Sequence, residues 1–396
     1  MRAVIVGGGV AGPALGLALE RAGVEAVLLE RRAAADAEAG SYLTLSPNGL
    51  DALSALGVRQ LAMEAGFPSQ LNMMYGATGN LLGEIPLGAP LPDGVTGLTL
   101  KRSRLALVLA DEAARRGVDV RRGARVVAVG NRGGGVSADL EDGTSVDGDV
   151  LVGADGVHSL VRRTIHLQAP RARYVGLTNF GGITRGTPVA HELAPEAWHF
   201  VFGRRAFFGA HPTPDGDVVW FVNVPRPEIG REERQATTDE QWRLWLLDLV
   251  RHDAGPAAAL VADGVLELAG DNTYDLRTVP TWSREGMVII GDAAHAPAPS
   301  SGQGASMALE DSVVLAQALR DSTDLAAALT AYERARRPRV ERIVAAGARS
   351  SSSKIPGPVG RWFQERVLTL VFRHLVTQRS TAWMSGHRLD WDARVA

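Results

Sequence analysis

Residues 3–6 are an unbroken apolar run with no polar face, and they lead straight into GGGVAG at residues 7–12. Such a run reads as a buried parallel strand, and the glycine cluster after it restricts the fold more than any other stretch. Gly7, Gly9 and Gly12 form a G-x-G-x-x-G between that strand and an Ala- and Leu-rich helix over residues 12–22. The first glycine permits a tight turn, the second lets backbone approach a pyrophosphate, and the third allows close helix–strand contact. Val10 and Ala11 fall at the helix start, whose positive end faces phosphate charge. The next strand, residues 26–30, ends on Glu30, placed to accept hydrogen bonds from an adenosine ribose, with Arg31 beside it. An acid there argues against a phosphorylated ribose. The unit alone does not separate FAD from NAD.

Two further signatures lie later in the chain. GADGVHSLVR at residues 153–162 comes after a strand over 150–152, and its Asp155 and Gly156 read either as part of a cofactor site or as a capped turn. GDAAHAPAPSSGQGA at residues 291–305 closes another strand, 286–291. There Asp292 is a short ionised acceptor suited to hydroxyl donors. The low-bulk segment 297–304 then opens a helix near Ala305, so the N–H groups of Gly302, Gln303 and Gly304 form a helix start that suits negative charge.

All three signatures in this order resemble the FAD-dependent class A aromatic hydroxylases, the para-hydroxybenzoate hydroxylase-like monooxygenases. The resemblance implies bound FAD, NADH or NADPH as a transient electron donor, and molecular oxygen. It also implies a flavin C4a-hydroperoxide that hydroxylates an electron-rich aromatic substrate, and the Ala-, Gly- and Arg-rich chain with its broad middle domain fits one of secondary-metabolite size. It places Arg102 of LKRSRLALVL near the ribityl and phosphate side, and Leu45 and Asn48 of LTLSPNGLDAL near the isoalloxazine. Val126, on a strand over 124–129, joins that cofactor set. His295, within GDAAHAP, reads as structural. A flavin-dependent alkene epoxidase, a non-oxygenating reductase or dehydrogenase, and a noncatalytic flavin-binding redox sensor are the alternatives.

Composition narrows the class. With 396 residues the chain exceeds what one hydrophobic core serves, so interlocked domains are expected. The formal net charge of -2 lacks the basic excess of a nucleic-acid binder. The absence of cysteine removes disulfides, thiolate metal sites and cysteine nucleophiles. The nine histidines show no zinc spacing, so no metal is expected. No run of about 18 apolar residues appears, so no membrane span is expected, and a cysteine-free chain reads most simply as cytoplasmic. Nothing in the sequence sets the oligomeric state.

The expected fold class is α/β: a Rossmann-like FAD-binding domain interlocked with a smaller antiparallel-sheet substrate domain and a C-terminal helical segment. The FAD-binding domain takes residues 1–170 and returns over 277–348, the substrate domain takes 171–276, and 349–396 form a linker and helical tail. Within the middle domain, 198–202, 206–211 and 218–224 read as strands, and 237–250 as a helix. The helix after residue 325 is expected to be interrupted at Pro338. Period-two alternation pairs Phe200 with Phe202, His211 with Gly209, and Trp220 with Val222, without saying which face meets the flavin. His211 and Trp220 are the candidate pocket pair, and His211 the candidate base for a phenol. Arg204 or Arg205 could reach the flavin edge, and Pro297 and Pro299 suit a rigid wall beside it.

Overall fold

The computed structural model describes residues 1–33, 40–298, 301–350 and 365–395. Its first sheet has six strands in the order Ser283–Arg284, Met287–Ile289, Val150–Gly153, Arg2–Val6, Glu25–Glu30, Asp119–Arg122. All pair in parallel except the short edge strand Ser283–Arg284. Val4, Ile5, Val27, Leu28, Leu151, Val152, Val288 and Ile289 are wholly inaccessible to water, which explains why these strands carry apolar residues on both faces. Helices Ala11–Arg21 and Gly304–Asp321 pack against one another in this core, and Leu325–Ser350 packs on the latter. No described helix is long and apolar enough to cross a membrane.

A second, seven-stranded sheet runs Val265–Asp275, Arg173–Thr184, Val218–Pro225, Phe207–Pro212, Ala197–Phe202, Leu71–Gly76, Leu81–Pro86. Its last two strands come from within residues 1–170, which the sequence assigned wholly to the cofactor-binding part. Leu71–Gly76 pairs in parallel with Ala197–Phe202, a partner more than a hundred residues away, and no local pattern announces such a pairing. Helices Asp239–Val250 and Ala257–Asp263 cover one face of this sheet, and Thr238 and Gln241 form a capping box on the first. The opposite face looks toward a three-stranded sheet of Tyr42–Leu45, Leu98–Lys101 and Phe67–Pro68.

Two helical expectations change. Helix Leu325–Ser350 continues through Pro338. Arginines on either side of the proline anchor it: Arg336 binds Glu310 and Asp311, Arg337 bridges Glu333 and Glu341, and Arg339 binds Glu310. The expected tail helix over 362–376 is seen from residue 365 as a helix that widens at Val371–Leu375, with a separate helix at Gln378–Ser385. The rest of it lies outside the described residues, as do residues 351–360 of the linker expected over 349–360, whose first two residues instead end helix Leu325–Ser350.

Candidate active site

Each glycine of the first signature has a distinct physical reason. Gly7 has φ +111°, and a Cβ there would lie 2.4 Å from the carbonyl oxygen of Ala154. The turn after the first strand is therefore pressed against the turn that opens the second signature. At Gly12 a Cβ would lie 1.9 Å from the Gly7 carbonyl oxygen, so only glycine lets the helix start so close to the strand. Gly9 has nothing within 4 Å of a would-be Cβ, so its backbone borders open space. Among the described residues no side chain caps the helix start at Val10 and Ala11, whose orphan N–H groups suit a pyrophosphate.

The third signature joins this cleft. Gly291, at φ +56°, holds the Cβ atoms of Ala11 and Ala308 at 3.2 Å from its own would-be Cβ. The buried Arg162 donates to the carbonyls of Ala293 (2.9 Å) and Val157 (2.6 Å), bolting the second signature to the third. The Asp292 carboxylate is 36% exposed and lies 3.8 Å from the half-exposed guanidinium of Arg102. Gly302 (φ +60°) borders open space, and helix Gly304–Asp321 also starts without a side-chain cap, with Ala305 half-buried in its first turn. These open backbones, uncapped helix starts and accessible ionic groups fit an extended dinucleotide with a flavin at one end.

Other assigned residues serve the site through their neighbours. Glu30 accepts the N–H of Gly8 at 2.7 Å and of Arg32 at 2.9 Å, while Arg31 points to solvent. Gly8 was missed by the motif reading, yet a Cβ there would collide with Glu30 at 2.8 Å. The Asp155 carboxylate accepts the N–H of Leu160 at 2.6 Å and the Ser159 hydroxyl. Its side chain is thus committed to the start of helix Leu160–Ile165, and the adjacent Gly156, at φ +78°, stays open. Leu45 is fully buried in the apolar core, and Val126 is half-buried where Val126–Arg132 begins. Asn48 donates to Gln303 at 3.0 Å and to Glu310 at 2.7 Å, and Gln303 donates to Ser46 at 2.9 Å. These amides hold the glycine loop in place, and the Oδ1 of Asn48 is left buried without a partner among the described residues. Pro299 lies outside the described residues.

Behind the loop sits a buried charge network that the sequence did not reveal. Arg336 donates to Asp311 at 2.7 Å and to Glu310 at 2.6 Å, and all three are at most 1% exposed. His295 meets Asp311 at 2.6 Å, and the Gly291 N–H donates to the same carboxylate oxygen at 2.9 Å. Burial alone would raise both carboxyls, but their partners outweigh it and hold each at about 2: Arg336 and Arg339 around Glu310, and the contacts of His295 and Arg336 around Asp311. The network thus fixes the strand end that carries Asp292.

The substrate-side assignments are corrected. His211 is 1% exposed; its Nδ1–H donates to the Pro212 carbonyl at 2.8 Å, and its Nε2 accepts from the Ser69 hydroxyl at 2.8 Å. That hydroxyl continues through Thr99 (2.7 Å) to Thr44 (2.8 Å), with the Trp198 indole N–H donating to both threonines. Burial pulls His211 down to about 4, so near neutral pH it is an uncharged anchor with both nitrogens engaged, not an available base. Trp220 faces the other way: its indole donates to Thr184 at 3.0 Å within the core under the helices. Their registers explain it, because His211 pairs with Val219 and Trp220 with Ala210, on opposite faces. Arg204 lies in the hairpin after Phe202, its N–H on Asp253 at 3.0 Å, and Arg205 pairs with Asp248 at 2.8 Å. Both belong to the outer turn, not to the cleft.

The face that packs toward the small sheet carries Trp198, Phe200, Phe207 and Phe221. Phe200, Phe207 and Phe221 are half-buried, with ring centroids 5.5–6.0 Å apart. Tyr42 and Phe67 of the small sheet pack against this group. A half-buried aromatic face of this kind suits contact with a flat apolar molecule.

The sequence matches the family model for the FAD binding domain over residues 1–347. It is 30% identical over 394 residues to aurachin C monooxygenase/isomerase of Stigmatella aurantiaca, covering 98% of this chain and 95% of that protein. It is 30% identical over 356 residues to FAD-dependent urate hydroxylase of Klebsiella pneumoniae subsp. pneumoniae, covering 87% and 88%. The crystal structure of Klebsiella pneumoniae HpxO complexed with FAD and uric acid has the same fold, with a TM-score of 0.84 at 25% identity over 97% of each chain. Glycine-lined turns that meet at one cleft, and full-length similarity to flavin hydroxylases, lead to one assignment: the chain belongs to the FAD-dependent class A aromatic hydroxylase family and is an FAD-dependent monooxygenase.

Proposed function

We propose that this protein uses NADH or NADPH and molecular oxygen to hydroxylate an electron-rich aromatic compound of secondary-metabolite size. The observation that carries this reading is the half-buried phenylalanine face of the second sheet, packed beside Tyr42 and Phe67 of the small sheet. Relatives point the same way, since one acts on aurachin C and another on urate. Bound FAD supplies the activation of oxygen. Glu30 would hold its ribose, the helix starts at Ala11 and Gly304 its negative charge, and Asp292 with Arg102 its ribityl–phosphate stretch. The protein's own part is to orient the ring and exclude water. Phe200, Phe207, Phe221, Tyr42 and Phe67 do so without presenting a group that titrates near neutral pH. A ring activated by its own amino, hydroxyl or ring-nitrogen substituent suits a site whose one histidine on that face stays neutral.

The test is turnover of the FAD-loaded protein with NADH or NADPH under ¹⁸O₂, using a panel of hydroxylated and aminated aromatics. One labelled oxygen atom in the product is expected. Nicotinamide oxidation with an unlabelled, reduced product would assign the protein to reductases instead. No substrate-stimulated nicotinamide oxidation at all would leave the redox-sensor reading standing.

A further inference from the structure

The edge strand Val265–Asp275 of the second sheet carries a polar group that nothing so far explains. Opposite this strand, Gly181 pairs with Leu268 but Gly182 pairs with Leu266, so Glu267 is an extra residue in a β-bulge. A bulge re-aims a side chain, and here it turns Glu267 away from the helical layer toward the small sheet. Its Oε1 meets the Lys101 ammonium at 2.8 Å, with the two side chains 14% and 7% exposed. Its Oε2 is buried and finds no hydrogen-bond partner among the described residues. Leaving such an acceptor unfilled is costly unless something else supplies a donor.

Two neighbours on the same face suggest what does. Asn179, two residues before Gly181 on the same strand, also has a buried side-chain oxygen without a partner among the described residues. Gly181 itself lies directly opposite Phe221. A Cβ on it would make only ordinary contacts, 3.6 Å to the Trp220 carbonyl and 3.7 Å to Leu268, and its φ is not in the left-handed region. Neither backbone nor packing forces glycine there, in contrast to Gly182, where a Cβ would strike the Trp220 ring at 2.4 Å. Position 181 therefore carries no side chain on the face it shares with Phe221 and Asn179.

We propose that Gly181, Asn179 and Glu267 form a recognition subsite for an aromatic ring bearing an N–H or O–H donor, with Oε2 of Glu267 receiving that hydrogen bond. Lys101 holds the carboxylate in position and balances its charge, and Phe221 stacks on the ring. The inference rests on the reading of the protein as an aromatic hydroxylase, and it names the edge of the substrate that this chain selects.

Equilibrium binding to the FAD-loaded protein, monitored by flavin fluorescence, tests the subsite without turnover. The probes are 4-quinolone against N-methyl-4-quinolone, and 3-hydroxybenzoate against 3-methoxybenzoate. In at least one pair the donor-bearing probe is expected to bind about tenfold or more tightly. Glu267→Gln places an N–H where the acceptor stood and should abolish that preference while leaving affinity for the methylated probe within about threefold. Gly181→Ala should weaken both members of the pair alike without lowering the unfolding temperature. An unchanged preference in Glu267→Gln, equal binding of both members in each pair, or no binding of any probe overturns the subsite. Tight, donor-selective binding without ¹⁸O incorporation would instead overturn the hydroxylase reading and leave the subsite in place.

Discussion

Gly9 and Gly12 are three residues apart and chemically identical, yet the structure assigns them opposite kinds of work. A methyl at position 12 would lie inside the van der Waals shell of the Gly7 carbonyl, so Gly12→Ala should destabilise the FAD-free protein by about 1–3 kcal/mol. A methyl at position 9 meets nothing, so Gly9→Ala should change that stability by less than about 0.5 kcal/mol while weakening FAD at least about tenfold. Thermal unfolding without FAD and titration with FAD separate the two; equal losses of stability would refute the division of labour. His211 allows a second residue-level test. It titrates near 6.5 in an unfolded chain and is held at about 4 here, first by burial and then by nearby His199, against the pull of the Pro212 carbonyl. Between those values the unfolded chain binds more protons, so this contribution is complete above about pH 6.5 and is lost as pH falls toward 4. At about 1.4 kcal/mol per unit it reaches roughly 3 kcal/mol. His211→Gln should flatten that part of the stability–pH curve in denaturant titrations, and an unaltered slope would count against it. The glycines were legible in the sequence because their spacing encodes backbone geometry directly. His211 was misread because alternation says which residues share a face, but not which face is dry or who their partners are.

Helix Gly304–Asp321 shows the same limit one scale up. Its apolar pattern announced a buried helix, and the adjoining glycines announced its start. The Glu310–Asp311 pair inside that pattern carried no local sign of being wholly buried, because their partner Arg336 lies on the next helix. The pair is bound from several elements at once: Gly291 and His295 from the third signature, Asn48 from helix Pro47–Ala55, Arg336 and Arg339 from Leu325–Ser350. Removing the central cation would leave two buried carboxylates undercompensated. Arg336→Met is therefore expected to cost about 3–5 kcal/mol, read as a lower urea midpoint. Since Asp311 also receives the Gly291 N–H beside Asp292, the variant should hold FAD more weakly as well. A variant of near-normal stability would show that the network's cations are interchangeable.

At the scale of the molecule, the cofactor-side sheet and the order of its helices could be read from the signatures, while the way the two sheets interlock could not. Leu71–Gly76 and Leu81–Pro86 leave the first part of the chain to complete the second sheet, and the C-terminal residues return to bind the first. Trp391 is 8% exposed, with the guanidiniums of Arg21 and Arg320 at 4.6 and 5.3 Å from its ring. Gln317 donates to the Asp390 and Trp391 carbonyls at 2.7 and 3.0 Å. Arg21 closes helix Ala11–Arg21, and Gln317 and Arg320 lie in the last turns of Gly304–Asp321. The tail therefore clamps the far ends of the two helices whose starts border the cofactor cleft. Trp391→Ala should lower stability by about 3 kcal/mol, since it empties a large buried ring site and removes two cation–ring contacts. Its FAD dissociation constant should change less than about threefold, because the helix starts, Asp292 and Arg102 are untouched. Thermal unfolding and FAD titration of the same preparation check both halves. A large loss of FAD affinity at unchanged stability would mean that the clamp acts on the cleft itself instead of on the packing of the two helices.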